Sequence, residues 1–284
     1  MELSTEHEAY LTNKHQGGLN NQKGNTFEVI YATKEIIRLY ALVEDLEKTV
    51  VSSQLKNAFV DDFQILYPDG LAVYHQCKDV TSLSWGKEEK GDLLYDFKWQ
   101  KTYSTGYGEF FRLKIVYSHP DCDIHIKPIP EIIEDVTERE HFPAYLTLNA
   151  LLIASKDLRD NIMAVLAPKE NGYTFDDLSA FAEIIRSNWL ESANKKISLL
   201  EIKNQTIAKY SKTINFKDFP NAELPNELKT IFDRFSEFSY RISGNTVFWT
   251  YRRLTGRFNP SDELISSIIK CNPTEILNLI ILLQ

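Results

Sequence analysis

Two polar residues, Gln76 and Lys78, stand one residue apart in the stretch VYHQCKDV, residues 73–80. The stretch is typical of a β-strand, in which successive side chains point to opposite faces, so Gln76 and Lys78 share one face. A solvent-exposed strand face would explain this pair by itself. Two acidic residues earlier in the chain, Glu28 and Asp62, favour another interpretation. Carboxylate and amide oxygens bind Mg²⁺, and a nearby lysine can stabilise charge on a phosphate under attack.

Each of these residues falls on an element that can position it. Glu28 lies near the start of a predicted helix over residues 26–48, where apolar residues recur at helical spacing. Asp62 lies on the first strand of a predicted β-hairpin, and the Gln-x-Lys pair lies on the second strand. The turn between the two strands carries the Pro-Asp-Gly sequence of residues 68–70, which is typical of a hairpin.

The neighbouring Asp61 competes with Asp62 for the role of the strand acid. Because adjacent residues of a strand point to opposite faces, only one of the two carboxylates can reach the site. We prefer Asp62, which directly precedes the apolar Phe63. Asp61 stays open as the alternative.

The order of these residues resembles the PD-(D/E)xK, or restriction-endonuclease-like, superfamily in its Gln-x-Lys variant. More narrowly, residues 16–119 resemble the double-stranded DNA nuclease domain of bacterial anti-phage effectors. That domain occurs in the nuclease associated with the CD-NTase of CBASS systems and in the nuclease subunit of Lamassu-type systems. The resemblance rests on Gly17, Gly18, Gly24, Phe27, Glu28, Asp61, Asp62, Phe63, Asp69, Gly70, His75, Gln76, Cys77, Lys78, Trp85, Asp92, Leu93, Leu94, Phe97 and residues 115–118.

The resemblance implies a metal-dependent endonuclease that hydrolyses the phosphodiester bonds of double-stranded DNA. Glu28, Asp62 and the Gln76 carbonyl oxygen are then expected to bind Mg²⁺, with Mn²⁺ as a substitute. Lys78 is expected to stabilise the attacking hydroxide or the phosphate in the transition state. All four residues are therefore candidate catalytic residues.

The resemblance also implies a biological setting, an effector subunit of a prokaryotic anti-phage defence system that stays inactive until a sensor triggers it. We expect control by a partner protein, such as an SMC-like or other ABC-type ATPase or another sensor subunit. We also expect a homo-oligomer in the active state, because cutting both strands requires two active sites.

For the fold class we expect an α/β protein with a restriction-endonuclease-like mixed sheet flanked by helices, followed by a mainly α-helical C-terminal domain. The predicted divisions are a flexible N-terminus over residues 1–15, the nuclease domain over 16–135 and a helical regulatory or assembly domain over 136–284. A Pro-rich junction at residues 127–130 supports this boundary, since strand signals nearly vanish beyond it.

Composition limits the partners and the compartment. The chain has 284 residues and a formal net charge of -8, which does not exclude nucleic acid because a local basic patch can bind phosphates. Three scattered cysteines do not form a disulfide framework. We find no signal-peptide pattern and no run of about 20 apolar residues that would span a membrane. We therefore predict a cytoplasmic protein without a membrane partner.

Arg252, Arg253 and Arg257 form the densest cationic cluster and alternate with aromatic residues. Arginine beside aromatic rings suits contact with phosphates and stacking on bases. We keep these three as candidate nucleic-acid-binding residues, next to the more common explanation, the end of an amphipathic helix.

Two other functions stay open. A non-catalytic binding or scaffold subunit of a defence complex could keep the nuclease fold, and the neutral Gln76 and the acidic net charge favour it. A nuclease directed at RNA is the third possibility. A divalent-ion-dependent cleavage assay with either substrate separates the three.

Overall fold

The structure is a computed structural model, and it divides the chain into two compact units, residues 1–215 and 216–284. It describes residues 4–21, 26–43, 45–192, 195–210, 214, 216, 224–243, 246–252, 254–258 and 260–283.

The first unit begins with two helices, α1 (Thr5–Asn21) and α2 (Thr26–Leu42). The prediction of a flexible N-terminus over residues 1–15 therefore differs from the structure. The polar sequence forms a helix because one side of α1 is buried: Leu11 packs in a cluster with Phe59, and His7 lies against the same aromatic ring. The predicted second helix is confirmed, but it ends at Leu42 and not at residue 48.

Six strands form the central mixed sheet of the first unit. They are β1 (Val50–Ser52), β2 (Phe63–Leu66), β3 (Ala72–Lys78), β4 (Phe111–Tyr117), β5 (Thr137–His141) and β6 (Ile197–Ser198), in the spatial order β5-β4-β3-β2-β1-β6. Neighbours on the β6-β1-β2-β3 side are antiparallel, whereas β3, β4 and β5 are parallel. The predicted hairpin is confirmed as β2 and β3.

The sheet extends beyond the boundary that we predicted at residue 135. Thr137 of β5 pairs with Leu113, and Ile197 of β6 pairs with Val51. A division at residue 135 would remove both edge strands from the sheet and leave their partners' backbone groups unpaired. The division into compact units instead falls after residue 215.

Helices cover both faces of the sheet. Tyr74 of β3 belongs to the same buried apolar cluster as Phe97 of α3 (Leu93–Gly106), while the ring of the next residue, His75, lies 5.7 Å from the ring of Tyr31 on α2. Because adjacent strand residues point to opposite faces, α3 and α2 cover opposite faces. Further helices are α4 (Cys122–Ile126), α5 (Glu131–Glu134), α6 (Leu148–Ala154), α7 (Lys156–Val165), α8 (Phe175–Ser192) and α9 (Leu199–Tyr210).

The second unit combines helices with a sheet that the sequence did not predict. The helices are α10 (Asn226–Asp233), α11 (Asp262–Cys271) and α12 (Ile276–Leu282), and the strands are β7 (Phe238–Ser243), β8 (Thr246–Tyr251) and β9 (Leu254–Phe258). The mainly α-helical fold that we predicted beyond residue 136 therefore does not extend over this stretch, because α10 ends at Asp233. The β-branched and aromatic residues that follow favour strands, which pair as antiparallel neighbours in the order β7-β8-β9.

The core of the second unit is apolar. Phe232 and Leu279 are fully buried, and Trp249 of β8 packs face to face with Phe238 of β7. Gly256 of β9 allows this packing, because a Cβ atom at that position would come within 2.4 Å of the Trp249 ring. Among the helices of the described residues, none has the length and the apolar composition to cross a membrane.

Candidate active site

The Asp62 carboxylate and the Gln76 side chain meet at the start of β2. The antiparallel register pairs Phe63 with His75, so residue 62 lies opposite residue 76. Asp62 Oδ2 accepts hydrogen bonds from Gln76 Nε2 and, at 2.7 Å, from the backbone N–H of Cys77. We had predicted Asp62 on the first hairpin strand, but it directly precedes β2. Its contact with Gln76 joins two of the four predicted residues.

Gln76 is 1% exposed, and the nitrogen of its amide has a hydrogen-bond partner, Asp62. Because a carboxylate accepts hydrogen bonds and does not donate them, Asp62 fixes the amide with its nitrogen towards the carboxylate. The other end, Oε1, is buried and has no hydrogen-bond donor in the part of the chain that the structure describes. A buried oxygen without a partner is costly and uncommon, and a bound cation is one way to satisfy it.

A second glutamine, Gln54, has the same property and was missed in the sequence. It follows β1, is 4% exposed and has a φ of 50°, a left-handed conformation that is unusual for a residue other than glycine. Its Oε1 is also buried without a donor among the described residues, while its Nε2 lies 3.4 Å from Glu28 Oε2. Strained backbone of this kind is found most often at functional sites. The polar sequence SSQ around Gln54 has no motif that could have revealed it.

Glu28 is half-buried in the first turn of α2, as predicted, and its contact with Gln54 connects it to the strand ends. The buried thiol of Cys77 is close to the same charges. Burial raises the pKa of this thiol well above its usual value, the carboxylates of Asp62 and Glu28 raise it further, and Lys78 lowers it. Asp62, Glu28 and Lys78 therefore all act on one atom at the end of β3.

Lys78 is the last residue of β3 and lies on the same face as Gln76. Its side chain is half-buried and has no ion pair or hydrogen bond among the residues that can be described. Most other lysines near the sheet are paired, for example Lys34 with Glu140 at 2.7 Å. Lys78 is therefore a cation whose charge is available to a ligand.

The carboxylate of Asp61 contacts different partners from that of Asp62. Its Oδ1 lies 3.2 Å from Lys14 Nζ of α1, and the same ammonium group lies 2.7 Å from Asp96 Oδ2 and donates to the carbonyl of Phe59. Burial raises the pKa of Asp61, and Lys14 partly offsets this effect. Asp61 is thus the partner of Lys14, and Asp62 is the carboxylate in contact with Gln76.

The three arginines proposed for nucleic-acid binding belong to the second unit. Arg252 is exposed at the end of β8, has a φ of 55° and forms an ion pair with Glu237. Arg257 lies on β9, but its side chain is outside the described residues, as is Arg253 as a whole. The region consists of strands, so the alternative explanation, the end of an amphipathic helix, is wrong.

The site offers oxygen atoms to a metal ion. No three histidine, cysteine, aspartate or glutamate side chains in the described ranges are grouped so that they could hold one. The candidate set instead combines the carboxylates of Glu28 and Asp62 with the amide oxygens of Gln54 and Gln76. Such hard, neutral and anionic oxygens fit Mg²⁺ or Mn²⁺ and do not fit a metal that requires sulfur or imidazole.

Fold and site define a mixed α/β protein with a polar, partly unsatisfied cluster at one end of its central hairpin. Scans against protein-family models, curated proteins and solved structures found no match to this chain.

Proposed function

We propose that the chain is a Mg²⁺-dependent endonuclease of the restriction-endonuclease-like class that hydrolyses phosphodiester bonds in double-stranded DNA. One observation carries the proposal: the buried Asp62–Gln76 pair presents an amide oxygen without a donor, next to Lys78, which has no ion-pair partner among the described residues. A purely structural Asp–Gln contact does not require either of these features. The resemblance to PD-(D/E)xK nucleases supports the same assignment from the sequence pattern.

The two glutamines have positioning roles in this proposal. Gln76 Nε2 holds the Asp62 carboxylate, and Gln54 Nε2 holds that of Glu28, so each amide orients one acid and keeps its own oxygen free. The four oxygens from Glu28, Asp62, Gln54 and Gln76 would then hold Mg²⁺. When it is bound, the metal supplies neutralisation of phosphate charge and activation of the attacking water.

Lys78 is the residue that contacts the reacting groups in this proposal. Its ammonium group donates hydrogen bonds to the attacking hydroxide or to a phosphate oxygen, where negative charge increases in the transition state. The partly buried position strengthens this interaction, because the effective dielectric constant is lower there than in water.

The biological setting is part of the proposal and is supported by the sequence resemblance. The protein acts as an effector subunit of a Lamassu-like anti-phage defence system in the cytoplasm. An SMC-like or ABC-type ATPase, or another sensor subunit, controls it, and homo-oligomers bring two nuclease sites together on one duplex. Arg252, Arg253 and Arg257 remain candidate DNA contacts of the second unit.

The test is cleavage of plasmid and linear DNA with Mg²⁺, with and without EDTA, by the wild type and by Lys78→Met. We expect the variant to lose at least about 100-fold in rate, because loss of one group that stabilises charge in a transition state has an effect of this size. Lys78 has no ion pair among the described residues, so the thermal midpoint should not change. Lys195→Met, at an exposed lysine before β6, is the matched control.

Mg²⁺-dependent cleavage that survives Lys78→Met would contradict the proposed mechanism. Failure of the wild type to cut DNA in the presence of its system partners and a trigger would favour the alternative, a catalytically inactive subunit that uses the nuclease fold for binding. Cleavage of RNA in place of DNA in the same assay would identify an RNA-directed enzyme.

A further inference from the structure

A charged cleft of about 440 Å³ lies on the other face of the central sheet. Arg112 and Lys114 alternate along β4 and stand next to Val73 and His75 of β3 in the parallel register, so they lie on the face that α2 covers. Gln76 and Lys78 point to the opposite face. None of the residues that line the cleft is a candidate site residue, and the cleft is therefore distinct from the candidate active site.

The carboxylates closest to α2 in this cleft already have strong partners. Glu35 is buried, accepts hydrogen bonds from Arg38 Nε and Nη2 at 2.9 and 2.7 Å, and lies 2.9 Å from Lys34 Nζ. Glu140 lies 2.7 Å from Lys34 Nζ and accepts a hydrogen bond from Tyr31 at 3.0 Å. The Glu140 contacts connect α2 to the sheet, and all of these pairs together leave few acceptors for the remaining cations.

The cations of β4 are less well satisfied. The guanidinium of Arg112 donates to the backbone carbonyl of Asp135 at 2.8 Å and has no carboxylate within ion-pair distance in the described part of the chain. An arginine has five N–H donors, so most of them are available. Lys114 contacts Glu140 at 3.3 Å and Glu138 at 3.7 Å, both longer than ordinary charge-assisted hydrogen bonds. This end of the cleft therefore has more donors than acceptors.

One part of the cleft lining is largely apolar. Tyr67, Leu71 and Val73 line it, and all three are half-buried. Such an arrangement, an apolar surface beside a few polar groups, is typical of small-molecule sites, and the volume lies in the range of such sites.

We propose that this cleft binds a phosphate ester. Its phosphate group accepts hydrogen bonds from Arg112 and Lys114, and its apolar part packs on Tyr67, Leu71 and Val73. The planar guanidinium favours an oxyanion that can accept two parallel hydrogen bonds, which phosphate does. This binding does not depend on the proposed nuclease function, because none of the residues that line the cleft belongs to the proposed metal site.

Isothermal titration of the full chain in EDTA tests the proposal with phenyl phosphate and inorganic phosphate as probes. We expect phenyl phosphate to bind more tightly than inorganic phosphate, because only the ester has an apolar part for the Tyr67 wall. Arg112→Gln should weaken binding by about tenfold or more, since a charge-assisted contact is lost. Arg186→Gln is the matched control, because Arg186 is a surface residue of α8 paired with Glu183.

For a second variant we expect phosphate binding to become tighter, a result that damage to the fold cannot explain. Glu138→Gln removes a carboxylate that competes for Lys114, so phosphate binding should become about twofold to threefold tighter. Lys78→Met should bind phenyl phosphate like the wild type, which keeps this result independent of the nuclease test. The proposal is overturned if neither probe binds or if Arg112→Gln binds phenyl phosphate as well as the wild type.

Discussion

The two compact units differ in what they bury. The first unit encloses charged and polar side chains, among them Glu35, Asp61, His75 and Gln76, whereas every buried side chain described in the second unit is apolar or aromatic. Burying a polar group costs free energy unless it is fully hydrogen-bonded, and a polar interior is therefore found where a function requires it. The difference places the candidate chemistry in the first unit and suggests a structural or interaction role for the second.

The polar regions of the first unit also differ from each other. Around Asp62 and Gln76, the amide oxygens of Gln54 and Gln76 have no donor among the described residues, which favours a cation. Around Arg112, most N–H donors have no acceptor in the described part of the chain, which favours an anion. The first region includes Gln76 of β3 and the second includes Arg112 of β4, so the two proposed sites of opposite charge preference use neighbouring strands of one sheet.

The largest expected effect concerns His75 and its pH dependence. The pKa of this histidine is lowered to about 4: burial is the main cause and Lys114 adds to it, whereas Glu35, the hydrogen bond to the Phe63 carbonyl and Glu140 act against the shift. Because the folded-state pKa is below the unfolded value near 6.5, the neutral ring stabilises the fold above pH 6.5. This contribution is lost as the pH falls to 4 and amounts to about 3 kcal/mol.

His75→Gln tests this effect, since glutamine stays neutral at every pH. The free energy of unfolding of the variant, minus that of the wild type, should rise by about 3 kcal/mol between pH 6.5 and pH 4. The variant must be compared with the wild type at each pH, because the raised pKa of Asp61 makes the wild type more stable as the pH falls. Hydrogen exchange, corrected for intrinsic rates, should show the effect in residues 26–210 and not in 224–283. An equal effect in both units would remove the contrast between them.

The next effect distinguishes a metal site from an ordinary buried hydrogen bond. Gln76→Glu replaces the donor to Asp62 with a second carboxylate, so the metal-free variant should lose about 2 kcal/mol of stability at pH 8. Mg²⁺ should restore the lost stability, and it should raise the thermal midpoint of the variant more than that of the wild type. The readout is stability, so it does not depend on any cleavage activity.

Gln64→Glu is the matched control for this substitution. Gln64 is also buried on the hairpin, but it accepts a hydrogen bond from Ser52 at 3.2 Å and does not contact Asp62. The control should be destabilised without recovery on addition of Mg²⁺. Equal recovery of both variants, or of neither, would contradict a metal site at Asp62 and Gln76.

Local patterns were sufficient to predict the centre of the first unit. The Pro-Asp-Gly turn and the two-residue period of strands predicted the β2–β3 hairpin and, through it, the meeting of residues 62 and 76. They could not decide between Asp61 and Asp62. That choice depends on Lys14 of α1, which lies far from Asp61 in the sequence but forms an ion pair with it.

Features that depend on distant partners were missed. Strand β5, with the sequence TEREH, has no apolar alternation and is a strand because β4 pairs with it. Helix α1 is polar and is held by its contacts with Phe59 and Asp96. Gln54 requires a left-handed backbone that no sequence rule assigns to glutamine. In each case the tertiary partner, and not the local sequence, determines the conformation.

The smallest expected effect concerns Arg252 and decides whether the apolar unit takes part in DNA binding. Arg252 is exposed and paired with Glu237, so Arg252→Gln should leave the thermal midpoint unchanged. If Arg252 contacts a phosphate, the variant binds all duplex sequences more weakly, and the slope of log affinity against log salt becomes smaller by about 1. Arg234→Gln, at an exposed arginine that donates to Asn272 at 2.6 Å, is the control within the same unit. A salt slope equal to that of the wild type would show that Arg252 makes no DNA contact, and would then favour DNA binding by the polar first unit alone.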